Sequence, residues 1–89
     1  MKKDVKLWWE QGKRDLESSK NSLNSGDYYL SVYLAHQTVE KILKALVLNT
    51  KGNFSMGHDL PHYAKQLSVH VNVTKICQNL NQAYMESRY

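Results

Sequence analysis

Apolar and small residues recur early in the chain at Val5, Trp8, Gly12, Leu16, Ser19 and Leu23. Steps of three and four residues mark one face of a helix, so the spacing predicts a first helix over about residues 4–24. Trp9 widens its stripe. Gly12 lowers helix stability by about 1 kcal/mol relative to alanine, and a glycine at that position predicts close approach by a second backbone. Glu10 and Arg14 stand at i,i+4 in the favourable order. Asn24-Ser25-Gly26 ends the helix, with Gly26 suited to the left-handed position of a C-terminal cap.

Asp27 is a good N-cap for a second helix reaching about residue 49. One stripe along it is Tyr28, Val32, Ala35, Val39, Ile42 and Leu46; its neighbour is Tyr29, Tyr33, His36, Leu43 and Val47. A helix apolar over that width packs against several partners, which predicts the central element, with Val39, Leu43 and Leu46 nearly inaccessible. Gln37, Lys41 and Lys44 fall on its polar side, and Glu40 and Lys44 can pair at i,i+4. A loop over 50–59 follows. Asp59 can cap a third helix, with Pro61 in its first turn and Leu60, Tyr63, Ala64 and Leu67 on its apolar face. His70 to Asn72 reads as a connection to a fourth helix, starting near Val73, with Ile76, Cys77, Leu80, Ala83 and Tyr84 at helical spacing. No segment alternates with period two. The expectation is an all-α fold, an up-down antiparallel bundle of about four helices in a single domain over 1–89.

Length and charge narrow the function. An 89-residue chain has room for one domain with a small core, for which dimerisation is a common remedy. No apolar run is long enough to span a bilayer, and Met1-Lys2-Lys3 followed by Asp4, Lys6 and Glu10 lacks an apolar signal region. A lone cysteine, Cys77, excludes an intramolecular disulfide and a cysteine metal site, so a reducing cytoplasm is the expected location. The net charge of +4 raises the question of nucleic acid. The excess is thin and dispersed; Lys2, Lys3 and Lys6 are its one cluster, offset by Asp4. That pattern suits a solvated face more than an RNA footprint.

The stretch from Tyr28 to Leu46, with its Ala35-His36-Gln37 and Glu40-Lys41-Ile42-Leu43-Lys44-Ala45-Leu46, resembles the signature helix of HEPN domains. Trp8 with Asp15-Leu16 looks like the family's first helix, His58-Asp59-Leu60 like its loop-to-helix motif, and Arg88-Tyr89 like the pair that follows its fourth helix. The ordered set covers nearly the whole chain. Family members usually carry alanine where this chain has Gly12 and glutamine where it has His36. They also continue past the Arg-Tyr pair into a fifth helix, so the chain reads as a fragment or as a minimal member lacking that helix. The resemblance implies a small cytoplasmic binding module, pairing with a minimal nucleotidyltransferase in a toxin–antitoxin or defence-like unit. It implies nucleotide or RNA binding near the Glu-Lys helix, and binding residues His36, Gln37, Glu40, Lys41, Lys44, His58, Asp59 and Arg88. A homodimer is expected, with Trp8, Trp9 and Tyr84 as candidate contacts.

Some family members are ribonucleases, whose motif is an arginine followed four to six residues later by histidine. Arg14 has no histidine in reach, and Arg88 would need one beyond Tyr89. The expectation therefore leans away from an enzyme, with a dimeric, metal-independent ribonuclease as the alternative. No cofactor or metal is expected. His36 and Glu40 stand at ligand spacing, but a hydrogen-bonded, half-buried histidine is the plainer reading. Glu40, Lys41 and Lys44 are either a solvated face or a surface meeting a phosphate or a partner. His58 and Asp59 read plainly as a cap and its packing neighbour, His62 and His70 as exposed, and Trp8, Trp9 and the tyrosines as core or interface more than base-stacking platforms. Gly52 and Gly57 lack a phosphate-loop spacing.

Overall fold

The structure, a computed structural model, describes residues 2–52, 60–67, 78–82 and 85–86. The fold is all-α, with no strand among the described residues. Helix α1 spans Lys3–Asn24, α2 Tyr28–Lys51 and α3 Leu60–Gln66. Residues 78–82 and 85–86 are helical as well. The loop at 53–59, the 70–72 connection, the start of the fourth helix and Cys77 lie outside the described residues, as do the site candidates His58, Asp59, Tyr84 and Arg88.

The turn between α1 and α2 follows from three residues. Gly26 adopts φ 85°, which an L side chain resists. Its amide donates to the Leu23 carbonyl at 3.1 Å, and the Asp27 amide donates to the Ser22 carbonyl at 2.9 Å. These two bonds close a Schellman motif that satisfies the last carbonyls of α1. Asp27 then caps α2, its Oδ1 accepting from the Leu30 amide at 3.2 Å. With the turn this short, α1 and α2 must run antiparallel, and the contacts descend accordingly: Ser19 meets Ser31, Gly12 meets Thr38 and Ile42, and Trp8 meets Lys44. At its far end α2 runs two residues longer than expected and stops at Gly52, whose φ of 85° supplies a second left-handed cap.

The predicted central role of α2 holds. It packs on α1 along one side and on α3 along another. The main core lies on the second side, where Leu43 and Val47 meet Leu60, Tyr63 and Ala64, with Val39, Leu67 and Leu80 half-buried around them. The apolar face predicted for α3 is therefore the buried one.

Two predicted stripes need correction. On α1 the line facing α2 is Val5, Gly12, Ser19 and Ser22, which are buried, with half-buried Trp8 and Asp15 between them, whereas Leu16 (41% exposed) and Leu23 lie outside it. The steps 3, 4, 3, 4 and 3 follow a seven-residue repeat, so the seam keeps facing α2 even where its residues are polar. On α2, Leu43 is buried as expected, but Val39 is half-buried and Leu46 is 39% exposed, while Tyr28 and Tyr29 are open. Leu46 lies one position from fully buried Val47, and 100° of helical rotation carries it off the core. Glu10 also departs from expectation: it pairs with Lys13 at 3.7 Å instead of Arg14.

Candidate functional site

The residues that α2 was expected to offer to a ligand are divided between its two packed sides. Lys41 turns toward α1, and its Nζ lies 2.7 Å from Asp15 Oδ2. Both side chains are about one-fifth exposed, so the pair is shielded from bulk water and holds the helices in register. Lys44 was expected on the polar side and is instead buried, 9% exposed. Its aliphatic stem covers apolar surface while its ammonium sits 5.1 Å from the centroid of the Trp8 ring and 3.3 Å from Glu40 Oε1. A partly desolvated ammonium is tolerated there because an aromatic face and a carboxylate both compensate it. Gln37 Nε2 donates to the Tyr33 hydroxyl at 2.9 Å, one turn back.

His36 points the other way. It is buried and its Nε2 lies 3.4 Å from Asn81 Oδ1, so α2 is tied to the helical residues 78–82. The carboxamide oxygen can only accept, which makes Nε2 the donor. The plainer reading of His36 as a hydrogen-bonded interface residue is thus the observed one. Among the described residues no third ligand joins His36 and Glu40, and no group of three His, Cys, Asp or Glu could hold a metal.

Chemically, the α1–α2 seam is closed upon itself. Two carboxylates, Asp15 and Glu40, face two ammonium groups, Lys41 and Lys44, leaving no net charge for a phosphate to meet. Trp8 is enclosed in the same arrangement. Asp15 was expected only as part of the first-helix motif and not as a partner of Lys41; the signal for that role was a position three residues after Gly12 and four before Ser19, on the line of the seam. Ser19 and Ser31 were missed as a unit too. Each hydroxyl donates to the other's backbone carbonyl, at 2.9 and 3.1 Å, across the two helices.

The opposite flank of the hairpin is apolar. Trp9, Leu16 and Leu23 recur at seven-residue spacing beside the α1 seam. Helical rotation sets Tyr28, Val32 and Leu46 of α2 on that same side, beyond Ile42, which meets Gly12. Leu23, Tyr28 and Leu46 are all exposed there.

A family comparison decides what kind of domain carries these features: the HEPN domain model matches residues 5–89. The chain belongs to the HEPN family. Neither the comparison with curated proteins nor that with solved structures gives a match. In this HEPN domain the Glu-Lys signature of α2 is used internally, through Glu40–Lys44 and Lys41–Asp15, and no helix among the described residues is long and apolar enough to cross a membrane.

Proposed function

We propose that this HEPN domain is a cytoplasmic binding module that works through protein contact, first with a second copy of itself and then with a minimal nucleotidyltransferase, in a toxin–antitoxin or defence-like unit. The observation that carries the reading is the apolar flank of the α1–α2 hairpin, where Leu16, Leu23, Tyr28 and Leu46 remain exposed while the charges of the opposite flank are paired with one another. Apolar side chains grouped in this way mark contact surfaces. Of the expected contact residues, Trp9 lies on this flank and serves it; Trp8 is held under Lys44 and belongs to the seam. Nucleotide or RNA binding is secondary and weak, because Lys41 and Lys44 are engaged by carboxylates and the remaining charge is dispersed. Any RNA affinity falls steeply with salt.

Sedimentation equilibrium of the chain at micromolar concentration tests the first contact. The expected species is a dimer, converted to a 10.3 kDa monomer by Leu16→Ser with Leu23→Ser, at an unchanged melting temperature. A monomeric parent chain, or a dimer indifferent to both substitutions, removes the support. Co-expression with a minimal nucleotidyltransferase, taken from a neighbouring reading frame where one is found, tests the second: the two should purify as one complex. Single-stranded RNA should survive incubation with the chain intact.

A further inference from the structure

On the apolar flank of the hairpin, Trp9, Leu16 and Leu23 stand at seven-residue intervals along α1, and Tyr28, Ala35 and Ile42 stand at the same intervals along α2. That interval keeps a line of side chains on one side of a helix over its whole length. The reciprocal bonds between Ser19 and Ser31, and the approach of Gly12 to the Thr38 carbonyl, fix the relative heights of the two helices. In that register Leu23 is level with Tyr28, Leu16 with Ala35 and Trp9 with Ile42. The flank is therefore a stack of three layers, with its one alanine in the middle layer.

The two ends of the stack differ in relief. Beside the interhelical turn, Leu23 is 54% exposed and Tyr28 is 66% exposed. At the other end Trp9 and Ile42 are only half-buried, and so still have apolar surface to cover. One end stands proud and the other is recessed. The rim of α1 beside the stack is neutral and alternates in sign: Glu10 pairs with Lys13 at 3.7 Å and Glu17 with Lys20 at 3.6 Å, all four exposed. A rim of this kind is complementary to another like it and gives no preference to a partner of one charge.

We propose that a second copy docks on this flank head to tail, α1 against α1 and α2 against α2, about a two-fold axis that passes beside Leu16 and Ala35. The proposal rests on the self-contact already proposed for the flank and adds its orientation. Residues equally far from the axis then meet. Trp9 receives the partner's Leu23, and Ile42 receives the partner's Tyr28, so the proud end of each copy covers the recessed end of the other. The middle layer holds two leucines and two alanines, and the four helices form one antiparallel bundle. On the rim, Lys13 comes within a turn of the partner's Glu17, and Lys20 within a turn of the partner's Glu10. The partner's lysines approach as closely, and the equal number of carboxylates offsets them. The competing two-fold arrangement, with the axis parallel to the helices, lays α1 over the partner's α2 and sets proud end on proud end, Leu23 on the partner's Tyr28.

Disulfide mapping of the full chain in a Cys77→Ser background tests the orientation. A disulfide needs Cβ atoms about 3.5–4.5 Å apart, so only a residue beside the axis links to its own copy. After mild oxidation, Leu16→Cys and Ala35→Cys should each shift on a non-reducing gel from 10.3 kDa to twice that mass. Leu23→Cys should not link to itself but should link to a Trp9→Cys chain mixed with it. Leu7→Cys, 56% exposed on the solvent side of α1, should stay unlinked. Ala35→Cys keeps every large side chain of the stack, so it reads the orientation even if Leu16→Cys loosens the dimer. A chain that sediments as a dimer while Leu16→Cys and Ala35→Cys link only to each other, in a mixture, overturns the orientation and leaves the self-contact standing. Linking of Leu7→Cys as readily as Ala35→Cys overturns it as well. A chain that sediments as a monomer removes the self-contact and the orientation together.

Discussion

The two packed sides of α2 are built from different materials. Toward α3 the contact is apolar: Leu43 and Val47 meet Leu60, Tyr63 and Ala64, and all five are buried. Toward α1 it is small and polar: Gly12, Ser19, Ser22 and Ser31 are buried, and the Asp15–Lys41 pair spans the helices. Apolar area removed from water contributes about 25 cal/mol per Å², so the α3 side supplies stability in proportion to area, with little demand on exact register. A hydrogen bond contributes about 1 kcal/mol net, yet a buried polar group left without its partner costs about 1–3 kcal/mol. The α1 side therefore gains modestly when aligned and loses heavily when misaligned. One side holds the domain together and the other fixes how two long helices slide against each other.

The sharpest break of this contrast is a charge placed on adjacent residues of α2. Val47 is 0% exposed, and Leu46 beside it is open. Val47→Asp buries a carboxylate with no counter-ion, a cost comparable with the whole stability of a small domain, about 5 kcal/mol or more. The protein should be unfolded by circular dichroism at 25 °C. Leu46→Asp should keep a cooperative melt within a few degrees of the parent. If both variants melt alike, the core does not lie where Leu43 and Val47 place it.

The same contrast explains what could be read from the chain. The α3 side was legible because apolar spacing and burial coincide: Leu60, Tyr63 and Ala64 were expected on one face and occupy it. Caps were legible for a related reason, since Gly26 and Asp27 act through local backbone chemistry that needs no distant partner. After Gly12 the α1 seam was read correctly at Ser19 and misread at Leu16 and Leu23. An apolar criterion prefers Leu16 to Asp15 and Leu23 to Ser22, whereas the fold prefers the residues whose partners wait on α2. Gly12 itself was read correctly, because a glycine in mid-helix implies a close neighbour. Among the site residues, Lys41 and Lys44 looked available because a sequence cannot show that Asp15 and Trp8 lie opposite them. His36 was legible as an interface histidine, but its partner Asn81 is 45 positions away.

Removing one half of the Asp15–Lys41 pair should give the next largest effect. Exposed ion pairs contribute under about 1 kcal/mol, and breaking a fully buried one costs about 3–5 kcal/mol. With both side chains about one-fifth exposed, Lys41→Ala should cost about 2 kcal/mol by urea denaturation, most of it from the stranded carboxylate. The double variant Asp15→Leu with Lys41→Leu should recover most of the loss, since no charge then remains in the seam. Additive losses in the double variant would mean that the two residues do not act as a pair.

The serine lock is smaller. Ser19→Ala removes one of two reciprocal bonds and should cost about 1 kcal/mol, as should Ser31→Ala. Because the bonds share the same two hydroxyls, the double variant should cost less than the sum of the single ones. Independent losses would dissolve the lock into two unrelated contacts.

The smallest effect belongs to Gly12, where two terms nearly cancel. A β-carbon built on Gly12 lies 2.8 Å from Ile42 Cδ1 and 3.0 Å from Ile42 Cγ1, with the Thr38 carbonyl oxygen at 3.4 Å. Alanine improves helix propensity by about 1 kcal/mol. Overpacking costs about 1–3 kcal/mol, toward the low end here, because Cδ1 is the tip of a flexible chain and Ile42 is only half-buried. Gly12→Ala should therefore change stability by less than about 1 kcal/mol. In an Ile42→Ala background the obstruction is gone, and the same substitution should stabilise by about 1 kcal/mol. The difference between the two backgrounds isolates the close approach from propensity. An identical effect in both would mean that Gly12 does not set the distance between α1 and α2, and that the seam is held apart by its serines and its ion pair alone.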